Sequence, residues 1–197
     1  MANQLKSLFL FISFFLFGVL QTNLIIAQGQ VRFGAVSLDI NGTSTLHDWE
    51  IKSTDGAGSA VLVFNKSGNL TNVNSIQFTT NAKSLKSESS IMDNNTYSAL
   101  NANKFPQISF VGNSTKVVST DGVKHSITVS GKLTIAGTTL PVELYAVGIL
   151  TGDKILTITC TKIIDMKAWG VKPPTFMMGA MKTGKDVVIK FQSTLQK

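Results

Sequence analysis

The chain of 197 residues has a single cysteine, Cys160, two histidines, four prolines and one arginine, Arg32. Each scarcity excludes something. One cysteine leaves no intrachain disulfide, and its place far from the N-terminus excludes a lipid-modified cysteine at a leader cleavage site. His47, Asp48, His125 and Cys160 are too few and too widely spaced to write a metal site. His47 beside Asp48 suggests a base with its orienting carboxylate, but only one other histidine exists and no serine nucleophile elbow is present. The net charge of +7 comes almost wholly from scattered lysines. A nucleic-acid surface would cluster arginine and lysine with stacking aromatics between them, so nucleic acid is not an expected partner. No apolar run reaches the roughly 18 residues that a membrane-spanning helix needs.

The run that does exist, Leu8 to Leu20, follows Lys6 and precedes a polar break and Ile25-Ile26-Ala27. This is the pattern of a secretory signal peptide. The expected organisation is a leader over residues 1–27, cleaved after Ala27, and one domain over residues 28–197, with an uncleaved anchor as the alternative. The mature protein is then exported, to the periplasm or beyond. Asn41, Asn65, Asn69, Asn94 and Asn113 open glycosylation sequons but read more simply as turn residues.

The mature part is rich in Ser, Thr, Asn, Gly and β-branched residues, which favours sheet with many turns. Its dominant period is two, so alternate residues take opposite strand faces. In Ser126–Ile135, residues Ile127, Val129, Leu133 and Ile135 share one face with Gly131, where a side chain would project inward. Val142, Leu144 and Ala146 repeat the device after a turn at Ala136-Gly137-Thr138-Thr139. Leu156, Ile158 and Cys160 form a third apolar face, and Val187, Ile189 and Phe191 a fourth. Cys160 thus reads as a small wall residue. Earlier strands are expected at 31–40, 46–53, 59–64, 75–80 and 108–111.

Two segments break the rhythm. Between Ser84 and Phe105, Met92, Tyr97 and Leu100 can share a helical face, with Asp93 near its start and Pro106 as a stop, so one short helix is expected. From Asp165 to Gly184 the chain carries Trp169, Pro173-Pro174, Phe176 and three methionines, an apolar loop that must pack on something. Gly179 to Asp186 approaches a phosphate-binding loop, but Asp186 replaces the hydroxyl residue and a strand follows where a helix is required.

Strands with one apolar face close either as a sandwich or as a barrel, and periodicity does not choose between them. Three stretches in order, Gly42-Thr43-Ser44-Thr45-Leu46-His47-Asp48-Trp49, Ser84-Leu85-Lys86-Ser87 through Met92-Asp93 and Tyr97 to Lys104–Phe110, and Gly131–Val142, resemble the YceI family. The closing segment from Pro173-Pro174 through Met178-Gly179 to Val187–Phe191 resembles it as well. These are the lipocalin-like, polyisoprenoid-binding proteins of bacterial periplasms. The resemblance implies an all-β fold, an extended eight-stranded antiparallel lipocalin-like barrel with one short helix. It also implies a long isoprenoid chain, such as a quinone tail, held inside without catalysis, and no other cofactor.

On that reading Phe33, Trp49, Phe78, Leu100, Phe110, Ile127, Val129, Gly131, Leu133, Leu144, Leu156, Ile158 and Ile189 belong to the interior, and Phe176, Met177 and Met178 to an adaptable mouth. The alternative for the same residues is a dry core, and for the apolar loop a plug packed on the wall. Trp49 reads either as a plug or as a cap whose N–H meets a ligand headgroup. The expected partners are an isoprenoid lipid, a membrane surface met transiently and a second copy of the chain. The competing function is a periplasmic stress-response or interaction protein that uses the barrel as a scaffold.

Overall fold

The computed structural model describes residues 27–119, 121–152, 154–176 and 181–196. The described residues form ten strand segments: β1 Ala27–Ser44, β2 Trp49–Ser53, β3 Ala57–Phe64, β4 Leu70–Asn81, β5 Gln107–Ser119, β6 Lys124–Ile135, β7 Thr138–Leu150, β8 Leu156–Asp165, β9 Thr175–Phe176 and β10 Met181–Gln196. β2 and β3 lie end to end along one side of β1. Leu38–Gly42 pairs with Ser53–Trp49, and Ala27–Arg32 pairs with Phe64–Ser59. They therefore act as one interrupted strand. All neighbouring pairs are antiparallel, and β10 pairs with β8 on one side and β1 on the other, so the sheet closes into an eight-stranded barrel, although β4–β5 and β7–β8 pair over only part of their length and β2 does not pair with β4.

Period-two patterning places β6, β7, β8 and β10 as expected, but each strand runs longer than its clearest alternation. The β6–β7 turn is also tighter than expected. Ile135 still pairs with Thr138, so the connection is Ala136-Gly137 alone, both with positive φ (48° and 79°), the primed turn that matches strand twist. Leu46, expected in a strand, lies instead in the turn before β2.

Three bulges reset which residues face inward. In β1 the register shifts between Phe33 and Val36, so Val31 and Phe33 face the interior first, and Val36, Leu38 and Ile40 follow. In β4, Ser75 at φ 51° separates inward Val73 from inward Ile76. In β5 the shift lies between Gly112 and Ser114.

β4 and β5 are joined at one end of the barrel by residues 82–106, which hold a 3₁₀ turn at Ala82–Ser84 and the helix α1, Ser90–Ala99. Ser89 caps the helix, its hydroxyl accepting the Met92 N–H. Leu100 lies just past the helix end rather than within it. The segment is tied back to the barrel by a reciprocal backbone pair between Lys52 and Lys86 (2.7 and 2.8 Å). The Tyr97 hydroxyl donates to the carbonyls of Lys83 and Leu85, 3.0 Å each. This strap covers the gap where β2 and β4 diverge.

Candidate functional site

The barrel contains a cavity of about 550 Å³ that runs from Leu156, Leu195 and Val73 to a mouth bordered by Ser44, His47, Ser89, Ile91, Asn95 and Lys182. Its wall is apolar almost throughout. One end is closed by packing. Val31, Leu62, Phe64, Leu70, Leu156 and Leu195 form a continuous buried cluster there, and His125 is fully buried at the same end. At the other end the wall is made by Ile40, Trp49, Leu100, Ile108 and Leu133 together with the buried Trp169 and Val171.

The side chains keep the bore open by lying against the wall. The indole of Trp49 is flat on Gly42, where a Cβ would stand 2.1 Å from the ring, and its Nε1 donates to the Thr43 carbonyl at 3.0 Å. Only glycine allows that approach. The indole N–H is therefore taken by the chain's own backbone, while the ring lines the cavity. Phe110 covers Gly131 in the same way. A Cβ at Gly131 would lie 2.5 Å from the Val111 carbonyl oxygen and 2.6 Å from the Phe110 ring. This corrects the expectation that a side chain at Gly131 would simply project into the bore, because ring and neighbouring strand already fill that space. Midway along, Phe33, Phe78 and Phe191 meet edge to face with centroids 5.0 to 6.0 Å apart, a collar of rings on the wall.

Of the residues proposed from sequence, Phe33, Trp49, Phe78, Leu100, Phe110, Ile127, Val129, Leu133, Leu144, Leu156, Ile158 and Ile189 line this one cavity. Gly131 is buried beneath Phe110. Phe176 begins the return into β10 as part of β9, and Met177 and Met178 lie outside the described residues. Trp169, from the same apolar loop, lines the cavity and is also anchored in the wall. It is buried with Ile135, Ile164 and Val187, and its Nε1 donates to the Leu133 carbonyl at 3.1 Å. Residues missed from sequence include Leu38, Ile40, Ile76 and Phe191. For Leu38, Ile40 and Ile76 the bulges hide the parity. Phe191 follows directly from the alternation with Val187 and Ile189 and needed no further signal.

The two histidines lie at opposite ends of the barrel, and each contacts a backbone carbonyl. The His47 Nδ1 is 2.8 Å from the backbone carbonyl of Asp48, which is a turn contact and not a dyad with its carboxylate. His125, at the opposite end, has Nδ1 3.0 Å from the Val123 carbonyl. Among the described residues no group of three or more His, Cys, Asp or Glu side chains could hold a metal ion. Residues 181–186, the described part of the sequence that approached a phosphate loop, are strand. Burial pushes the thiol of Cys160, on the bore wall, above its ordinary pKa of 9.0, against a smaller opposing effect of Lys162. It is thus held as a neutral thiol.

The model of the YceI-like domain fits residues 26–195. The chain belongs to the YceI family. BcnA of Burkholderia cenocepacia shares the fold at 20% identity and a TM-score of 0.59, over 80% of this chain and 95% of that one. A domain from Saccharophagus degradans, described as a polyisoprenoid-binding domain implicated in plant cell wall breakdown, shares it at 8% identity and a TM-score of 0.62, over 86% and 99%. The Campylobacter jejuni YceI protein does so at 19% identity and 0.52, over 71% and 81%. No curated protein matches the chain at a significant level. At identities of 8 to 20% these likenesses concern the fold, so the bore's chemistry is read from this chain's own residues.

Proposed function

We propose that the protein is an exported lipid-binding barrel that holds a polyisoprenoid, or the tail of an isoprenoid quinone, for storage or transport, without catalysis. The observation that carries this reading is the shape and chemistry of the cavity. On β10 alone its lining runs from Lys182 to Leu195. At about 3.3 Å per residue that is roughly 40 Å along the strand, or about 30 Å along the axis of a barrel whose strands tilt by roughly 40°. A bore of that length and about 550 Å³ suits a slender chain better than a compact ring system. Burying such a chain yields about 0.8 kcal/mol per methylene-sized unit removed from water. Ser44, His47, Ser89, Asn95 and Lys182 sit at the mouth, where a headgroup would remain. The description of the Saccharophagus domain as polyisoprenoid-binding supports the same ligand class.

The expected result is that protein purified without detergent yields a long-chain isoprenoid on organic extraction and mass spectrometry. Protein that gives no stoichiometric lipid, with the cavity collapsed and dry at high resolution, would overturn the reading in favour of a scaffold role.

A further inference from the structure

We propose that the open end of the barrel is a docking face for an anionic phospholipid bilayer, with Leu46 and Ile91 as its apolar anchors and the exposed lysines of that end against the headgroups. The proposal rests on the lipid-binding reading above and adds where the lipid is exchanged.

Leu46 and Ile91 are the most exposed large apolar side chains among the described residues, at 66% and 71%. They border the mouth, since Ile91 lines the cavity and Leu46 adjoins His47, which also lines it. Neither is exposed because its segment is loose. The Ser44 hydroxyl accepts the N–H groups of Leu46 and His47 at 3.2 Å each and donates to the His47 carbonyl at 2.7 Å. Thr45 and Lys182 lock the same turn to β10 through bonds of 3.0 and 3.2 Å. Ile91 is the second residue of α1, in the turn that the Ser89 cap fixes. Folding gains nothing from holding these side chains in water, whereas the boundary between headgroups and acyl chains accepts such residues.

The charge at this end fits the same partner. Lys83, Lys167, Lys172 and Lys182 are exposed there and make no ion pair among the described residues, while Lys86 and Lys185 are engaged by Asp93, Asp165 and Asp186. Those three aspartates outnumber the two lysines by one, and Asp48 and Glu88 adjoin mouth residues, so three uncompensated acids stand against the four free lysines and the charge at the opening is positive by a small margin. Lysines near an anionic surface add attraction that salt screens. A mouth pressed on the bilayer lets a chain pass between membrane and bore without crossing water. A second apolar patch, Val118, Val123, Val147 and Ile149, lies on the outer wall toward the closed end, where there is no opening.

The test compares residues 28–197, which hold every described element except the first residue of β1, with two double variants of the same length. Each is floated with vesicles of phosphatidylcholine alone or mixed with phosphatidylglycerol, at low and high salt. The proposal expects binding to the mixed vesicles that salt weakens, a several-fold loss in L46S/I91S, and none in V147S/I149S. Equal binding by L46S/I91S and the parent, loss only in V147S/I149S, or no preference for the anionic vesicles would overturn it. Both pairs are exposed, and circular dichroism verifies that the fold is kept. Extraction and mass spectrometry on the same preparations separates the two claims. Docking by a protein that carries no lipid would refute the cavity reading alone. A lipid-filled protein that ignores both vesicles would refute the docking face alone.

Discussion

The two ends of the barrel are built from the same eight strands and the same alternation, yet one is solid and the other hollow. At the closed end connections of four or five residues join β3 to β4, β5 to β6 and β7 to β8, and the leucines that face inward meet: Leu62, Leu156 and Leu195 are each less than 3% exposed. At the open end residues 82–106 and 166–174 take the chain away from the sheet, so the strands diverge and the space between them is bordered by α1, Trp49 and Trp169. The difference teaches that the hollow is made by connections and by where rings lie flat, more than by the sizes of the inward residues. Stability is expected to reside at the closed end and ligand chemistry at the open one.

The largest expected effect tests that division directly. Leu62→Ala removes a side chain from the filled end and should cost about 2–5 kcal/mol, because a packed site collapses only partly around a new void. Leu100→Ala removes one from the rim of an existing cavity, where neighbours are missing on one side already, and should cost about 1 kcal/mol. Urea unfolding of both variants checks the difference, and lipid off-rates should reverse the order, with Leu100→Ala releasing faster. Equal stability losses would mean that the open end is packed as tightly as the closed one.

A smaller effect concerns the strap over the open end. Asp93 is buried, which by itself raises its pKa, but the Ser87 N–H and hydroxyl at 2.7 and 2.8 Å and Lys86 at 3.3 Å outweigh burial and hold it below its ordinary value of 3.8. Because the folded pKa is depressed, the stabilisation is present above the unfolded pKa and is lost as pH falls through the folded one. Acidification below about pH 4 should therefore loosen residues 82–106 before the closed end opens. Hydrogen exchange by segment would show earlier loss of protection in α1 than in β6, and Asp93→Asn should remove the difference between pH 7 and that range.

These contrasts also mark what could be read from the sequence. The fold was legible where alternation is clean, as in β6 to β8, because one buried face per strand is a physical requirement that period two records. Family resemblance decided between barrel and sandwich, since closure depends on a β1–β10 pairing that no local pattern reveals. The bore was legible through Ile127, Val129, Leu133, Leu144, Leu156 and Ile158, and lost at Leu38, Ile40 and Ile76. There a single bulged residue shifts the parity without leaving a compositional trace. The covering of Gly131 by Phe110 was hidden for another reason. It is a contact between strands, set by register and invisible along one strand.

The smallest effect offers the sharpest probe of the hollow, because Cys160 is a natural reporter midway along the bore. It pairs across the sheet with Ala146 and Phe191 and lines the cavity. With its pKa above 9.0, little thiolate exists at neutral pH, so reaction with a maleimide should be slow and should quicken as pH rises toward that value. Filling the bore with a chain would also block approach of the reagent. Delipidated protein is therefore expected to label several times faster than protein as purified, at the same pH and with no change in unfolding midpoint beyond the loss of bound ligand. A cysteine placed in the solid end, by Leu62→Cys in a Cys160→Ser background, should label slowly in both preparations, because Leu62 is buried and does not line the cavity. If Cys160 reacts at one rate with and without lipid, the ligand does not reach the middle of the barrel, and the hollow that matters is the mouth alone.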